Sequence, residues 1–347
     1  MAYTDIDKPS DYFTTKLYSG TGGTQSITTG FQPDFTWIKR RNSARDHCLF
    51  NVISGTNRNL SSNLSSAEEG TGAGGWTATS TGFDVGVFNK TNSSGDTYAS
   101  WNWKTGGTAS SNSNGSITSS VSANQDAGFS IVSWTGNNSG SATVGHGLGA
   151  VPNVVIIKKR DSATNWGFKH SSFASGAMAS INTTDAPSNR NGSTNGGIGN
   201  LTSSTTFGFI GGGAGTPEVN NSSMIAYCFA EKQGYSKFGS YVGNGSTDGT
   251  FVYLGFKPAL FMIKRTDGAN NWMIWDNKRT GFNIDNNELY PNESAAEGND
   301  DRIDLLSNGI KWRNGGATCN GSGSTYIYMA FASNPYVTST GIPATAR

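Results

Sequence analysis

Apolar residues along this chain fall in short runs rich in β-branched and aromatic side chains, and the runs are cut by Gly, Asn, Ser and Asp. Amphipathic helical spacing is almost absent, so the pattern predicts many short strands joined by turns. Residues 154–157 and 260–263 are apolar at every position, and Phe35-Thr36-Trp37-Ile38 is nearly so. Strands without a polar side are expected to be covered on both faces. The aromatic-rich run at 326–331 has the same character.

These runs recur in a fixed register. Five residues after Pro33, Pro152 and Pro258 stand Ile38, Ile157 and Ile263, each opening a basic cluster. The clusters are Lys39-Arg40-Arg41, Lys158-Lys159-Arg160 and Lys264-Arg265. Gly plus a large apolar residue precedes each proline: Gly30-Phe31, Gly147-Leu148 and Gly255-Phe256. Fourteen residues after it comes His47, Trp166 or Trp272. A polar signature follows, Asn63-Leu-Ser-Ser-Ala, Asn182-Thr-Thr-Asp-Ala and Asn292-Glu-Ser-Ala-Ala, offset from the proline by 30, 30 and 34 residues. Shared register over this many landmarks marks an internal triplication.

The expected fold class is all-β, with three tandem β-sandwich or jelly-roll-like modules of about 100 residues, each burying its own core. A closed arrangement with each repeat as a blade is the rival, but propellers ordinarily have four to eight blades. The expected divisions are an N-terminal arm at 1–11, repeat one at 12–104, a linker at 105–127, repeat two at 128–231, repeat three at 232–333 and a C-terminal tail at 334–347. The linker TGGTASSNSNGSITSSVSANQDA has almost no large apolar residue, which predicts a weakly held segment and a more mobile first repeat. Repeats two and three are expected to abut.

Composition narrows the function. Charged residues are 14% of the chain and the net charge is +1, so no nucleic-acid or anionic-membrane surface is indicated. The 9 Trp, 12 Tyr and 18 Phe oppose disorder, despite 47 Gly and abundant Ser, Thr and Asn. Cys48, Cys228 and Cys319 are odd in number and show neither a disulfide framework nor zinc spacing, so buried free thiols are expected. The opening MAYTDIDKPSDYF lacks the basic and apolar runs of a signal peptide, and no apolar stretch is long enough to span a bilayer. Synthesis and assembly in a cytoplasm, without membrane insertion, are expected.

Two readings attach to the basic clusters. Lys39, Arg40, Arg41, Lys158, Lys159, Arg160, Lys264 and Arg265 form either a ridge that grips acidic glycans or a partner protein, or strand ends that emerge into solvent and discourage edge pairing. On the second reading, neutralising Lys158, Lys159 and Arg160 together leaves folding intact. Trp166 and Trp272 occupy equivalent positions and read as core anchors. Trp76 and Trp312 do not repeat cleanly and are the candidates for exposed binding rings. The Asn signature is expected to shape turns through side-chain bonds to backbone N–H groups.

Catalytic chemistry is poorly represented. His47, His146 and His170 are the only histidines, and Asp46-His47-Cys48 would point to alternating sides of a strand. Gly145-His146-Gly147-Leu148-Gly149 is followed by Pro152 and a strand, where a phosphate loop requires a helix. The acidic run Glu297-Gly298-Asn299-Asp300-Asp301 lacks calcium-loop spacing. No enzyme activity, cofactor or metal is expected.

Several segments carry a resemblance: GFQPDFTWIKRRN, DTYASWNWK, ATVGHGLGAVPNVVIIKKRD, AYCFAEKQGYSKFGSYVGNGSTDGTFVYLGFKP and STYIYMAFASNP. Together they resemble a repeat family common among virion proteins of tailed bacteriophages, especially those of marine bacteria. The resemblance spans nearly the whole chain. It implies a phage particle component, often labelled a tail fibre or an uncharacterised structural protein, and it supplies no binding residues. The expected role is a short tail fibre or receptor-binding component, localised to the virion. A capsid decoration, head fibre or collar accessory protein is the alternative, and a carbohydrate-binding module the second. Expected partners are other tail or capsid proteins, a host cell-surface glycan or protein, and copies of the chain itself, a trimer being favoured.

Overall fold

The structure, a computed structural model, describes residues 4–343 except 73, 192–195, 212–219, 280–282 and 284–286. The chain is almost wholly β, and its strands pair antiparallel. The same strand order is built three times. A four-stranded inner sheet runs Phe13–Ser19, Thr97–Trp103, Phe35–Arg40, Cys48–Asn51 in the first repeat. In the second the order is Phe129–Thr135, Ser223–Phe229, Val154–Lys159, Gly167–His170, and in the third Ser236–Val242, Thr325–Pro335, Phe256–Arg265, Met273–Asp276. Each repeat adds a three-stranded outer sheet: Gln25–Thr28, Gly82–Val85, Thr77–Thr79; then Thr143–Gly145, Thr206–Ile210, Gly197–Ile198; then Phe251–Tyr253, Gly309–Trp312, Ile303–Leu306.

The continuous apolar runs are explained by two cores. Alternate residues of a strand point to opposite faces. Val155 and Ile157 pack against the outer sheet of their own repeat, while Val154 and Ile156 enter a second core. Phe261 and Ile263 divide from Leu260 and Met262 in the same way, and Ile38 divides from Trp37. This second core is common to all three repeats. Phe35, Trp101 and Trp103 meet Phe129, Tyr227 and Phe229 there, together with Leu260, Met329 and Phe331. The rings interlock across repeat boundaries, Phe35 lying 4.4 Å from Tyr227 and Phe13 5.4 Å from Phe331, centroid to centroid.

Two expectations are corrected here. The repeats are not self-contained sandwiches, because the inner face of each four-stranded sheet is buried in one core that all three share. The segment 105–127 is not a loose linker. Ser119–Asn124 and Ser110–Asn112 extend the second inner sheet beyond Phe129–Thr135. An edge ladder is held by backbone bonds, so it needs few apolar side chains, and Val121 supplies one to the core. The segment is also tied to the first repeat, where Thr105 N–H donates to Asp34 Oδ2 at 2.7 Å. The Gly before each large apolar residue has a backbone reason: Gly30, Gly147 and Gly255 have φ of 98°, 71° and 78°, open to Gly at little cost.

Candidate functional site

The basic clusters lie neither on a ridge nor at solvated strand ends. Lys39, Lys158 and Lys264 are buried, with 0%, 1% and 0% exposure, and each ammonium reaches into a neighbouring repeat. Lys158 Nζ donates to Ser65 O, Lys159 O and Thr164 O, each at 3.0 Å. Lys264 Nζ donates to Thr184 O and Asn270 O at 2.9 Å, and Lys39 Nζ to Arg40 O at 2.7 Å and Ser294 O at 3.2 Å. Ser65, Thr184 and Ser294 are the third residues of the three Asn signatures. The same carbonyls accept the backbone N–H of Thr164, Asn270 and Arg45, all at 2.8 Å. The contacts run in a closed cycle, second repeat onto first, third onto second, first onto third. Burial lowers each ammonium to about 8, which leaves it a cation at neutral pH. The first repeat is therefore clasped on both sides, which corrects the expectation that it moves more than the others.

The remaining motif residues complete this clasp. The signature amides Asn63, Asn182 and Asn292 accept the N–H of His47, Trp166 and Trp272 at 3.0, 2.9 and 2.8 Å. Those rings then cross to the neighbour. Trp166 Nε1 donates to Ser61 O at 3.0 Å and Trp272 Nε1 to Ser180 O at 3.1 Å. His47 takes the tryptophan's place, its Nε2 lying 2.9 Å from Tyr290 O. Arg160 pairs with Glu68 at 2.7 and 3.1 Å, and Arg41 with Glu297 at 2.9 Å through both nitrogens. At the third seam the corresponding residues are Thr266 and Pro187, so neither the ion pair nor the accompanying Glu N–H bond exists there.

The other candidates are accounted for locally. Arg40 is buried, bonded to Asn89 O and Ser93 Oγ and paired with Asp96. Lys159 faces Asp161 at 3.7 Å and Arg265 faces Asp267 at 2.7 Å. Trp76 and Trp312 are not exposed binding rings. They are 1% and 0% exposed, inside the first and third sandwich cores, Trp76 stacked on Phe50 and Trp312 edge-on to Trp275. A tryptophan that breaks the repeat in sequence can still be core, because each outer sheet fills its interior separately.

The histidines share one arrangement. Nδ1 accepts from Trp37 Nε1 in His47, from Leu148 N–H in His146 and from Ser172 N–H in His170. Nε2 lies within bonding distance of the carbonyls of Tyr290, Ser203 and Tyr328, which assigns the proton to Nε2. Burial holds all three below the ordinary imidazole value, His170 at about 4. They are neutral structural groups at pH 7. Cys48, Cys228 and Cys319 are buried and unpaired, and burial pushes each thiol up. Among the described residues no group of three or more His, Cys, Asp or Glu could hold a metal ion, and no helix is long and apolar enough to cross a membrane.

The chain ends are also engaged. Ile6 is buried in the shared core, Asp5 N–H donates to Gln233 O at 3.0 Å, and Ser339 N–H donates to Asp7 Oδ1 at 2.6 Å. Residues 1–3 of the arm and 344–347 of the tail lie outside the described residues.

Solvent-facing chemistry gathers instead on the third repeat. Val242, Phe251, Tyr253, Tyr336 and Ile342 are exposed there or in the tail that follows. A shallow hollow of about 250 Å³ is lined by Glu231, Gln233, Lys237, Tyr253, Leu254 and Tyr336. Lys237 Nζ lies 5.1 Å from the Tyr253 ring centroid and donates to Tyr253 O at 3.1 Å. Sequence reading missed this hollow. The signal available was a strand, Phe251-Val252-Tyr253, whose flanking aromatics have no counterpart in the other repeats. A larger cleft, about 610 Å³, separates the first and third inner sheets and is lined by Thr14, Lys257, Asn277 and Asn334 among others.

A family model described as "Domain of unknown function (DUF7483)" matches residues 8–335. The chain belongs to that family. No curated protein and no solved structure matches it.

Proposed function

We propose that this member of a domain family of unknown function is a non-catalytic surface component of a tailed-phage particle, a short tail fibre or receptor-binding tip. One observation carries the reading. The lysine and asparagine that recur in all three repeats are consumed in holding the repeats together, while Phe251 and Tyr253, aromatics without counterparts in the other two, face outward. A body organised this way is a rigid scaffold that displays variable surface, the division of labour expected of a binding protein. The sequence resemblance to virion repeat proteins supports the particle context. The buried, doubly bonded histidines support a role without acid–base chemistry.

The clasp bears on assembly. Its cyclic contacts are heterologous and close after three steps, as in a ring of three identical subunits. One chain supplies the threefold body that a trimer would otherwise supply, so attachment to the particle as a single copy is compatible with this architecture. The same closed body would serve a capsid decoration or collar protein, the second reading.

The experiment is localisation and competition. Labelled full-length protein is mixed with host cells and with isolated phage heads and tails. Adsorption to cells together with reduced infection supports the receptor-binding role. Failure to adsorb, with saturable binding to heads, assigns decoration. Binding to neither cells nor particles overturns both.

A further inference from the structure

The triplication provides an internal control for which outward residues the fold requires. In the outer sheets, Ile27, Val144 and Val252 hold equivalent positions and all are buried. The residues flanking them face away from the core. In the first repeat these are the exposed Ser26 and Thr28 and in the third the exposed Phe251 and Tyr253, whereas in the second Thr143 is half-buried and Gly145 is covered by Asn112. The first repeat builds this strand with its outward face in solvent and without aromatics, so packing does not demand them. Lys237 departs from the first repeat in the same way, where the half-buried Thr14 holds its place; in the second repeat the position is the buried Ser130.

Tyr253 and Lys237 meet at the hollow, and Phe251 lies two residues away on the same strand face, outside its lining. Phe251 is 43% exposed, Tyr253 53% and Tyr336 40%. Tyr336 is brought alongside by its N–H bond to Gly255 O at 3.2 Å. Exposed aromatics gathered beside polar groups mark binding surface more than fold. The polar lining is mixed, with the Lys237 ammonium, the Glu231 carboxylate and the Gln233 amide around the rings. Donors and acceptors of both kinds suit a ligand rich in hydroxyl groups, and the half-exposed Tyr253 ring, with Lys237 Nζ over one part of it, offers apolar surface to its C–H groups. The hollow, about 250 Å³, is smaller than the roughly 300–1,000 Å³ of drug-sized sites. We propose that the hollow beside Tyr253 binds a neutral hexopyranose unit of a cell-surface polysaccharide, the ring stacking on Tyr253 with its hydroxyls on Lys237 and Glu231. The proposal rests on the reading of this protein as a surface-binding component.

The test uses the full-length protein on a printed array of defined neutral-hexose oligosaccharides. The strongest probe is then titrated by calorimetry against the parent and two variants. Tyr253→Thr installs the residue the first repeat carries, and Lys237→Thr does the same for the cation. Val87→Ser, at a 71%-exposed site in the first repeat, is the control. A rise in Kd of at least tenfold in both variants, with the control unchanged and the melting temperatures preserved, supports the site. A blank array, or variants that bind like the parent, overturns it. Adsorption to cells that persists beside a blank array sinks the sugar proposal and leaves the virion reading standing.

Discussion

Replacing Lys158 with methionine puts the clasp to its most direct test. Methionine fills comparable volume and adapts its shape, so the change removes chiefly the ammonium. Three carbonyls at 3.0 Å lose a charged donor. Ser65 O keeps the Thr164 N–H at 2.8 Å. The Lys159 and Thr164 carbonyls lose a donor in a part-buried setting, at about 1–3 kcal/mol for each group that water does not reach. Relief from desolving the cation, visible as the fall of its pKa to about 8, offsets part of this. The net expected loss is about 2–4 kcal/mol, a large share of the ~5–15 kcal/mol by which domains are stable. Urea unfolding followed by tryptophan fluorescence measures it, with the m-value checking that the unfolding transition is unchanged in extent. A solvated strand end would tolerate the substitution, alone or with Lys159 and Arg160. A loss below about 0.5 kcal/mol, the usual range of surface changes, would refute the clasp.

Further predictions follow from the same contacts. Asn182→Ala leaves the Trp166 N–H without its 2.9 Å acceptor and should cost about 1–3 kcal/mol in the same unfolding assay. Thr266→Arg with Pro187→Glu installs at the third seam the pair present at the other two, and a raised melting temperature relative to either single variant is expected; no gain would show that the seam geometry differs. Acid should destabilise the fold through His170. Its folded pKa of about 4 lies below the unfolded value near 6.5, so the unfolded state binds the proton first. That contribution is complete above pH ~6.5 and is lost as pH falls toward 4, on the order of 3 kcal/mol in all. His170→Gln should flatten the profile between pH 4 and 6.5, and an unchanged profile would count against a neutral buried imidazole.

Much of the architecture was legible in sequence order. The short, Gly- and Asn-punctuated apolar runs determined an all-β chain, because period-two burial and turn chemistry are local properties. The threefold register of Pro33, Pro152 and Pro258 determined that one strand order is built three times. Unbroken runs such as 154–157 even announced that both strand faces are covered. What covers the second face was decided only in three dimensions. A side chain's exposure depends on what packs over it, and the lid over Lys158 is Ser65, 93 residues away. For that reason a basic cluster that reads as solvent-facing became the buried bond between repeats, and Trp76 and Trp312 became core. The hollow at Tyr253 lay beyond the sequence for the same reason, since it joins residues from the repeat boundary, an outer strand and the tail. Local pattern dictates strands and their repetition; the meeting of distant surfaces dictates which polar groups are bound, which are buried and which are left for a ligand.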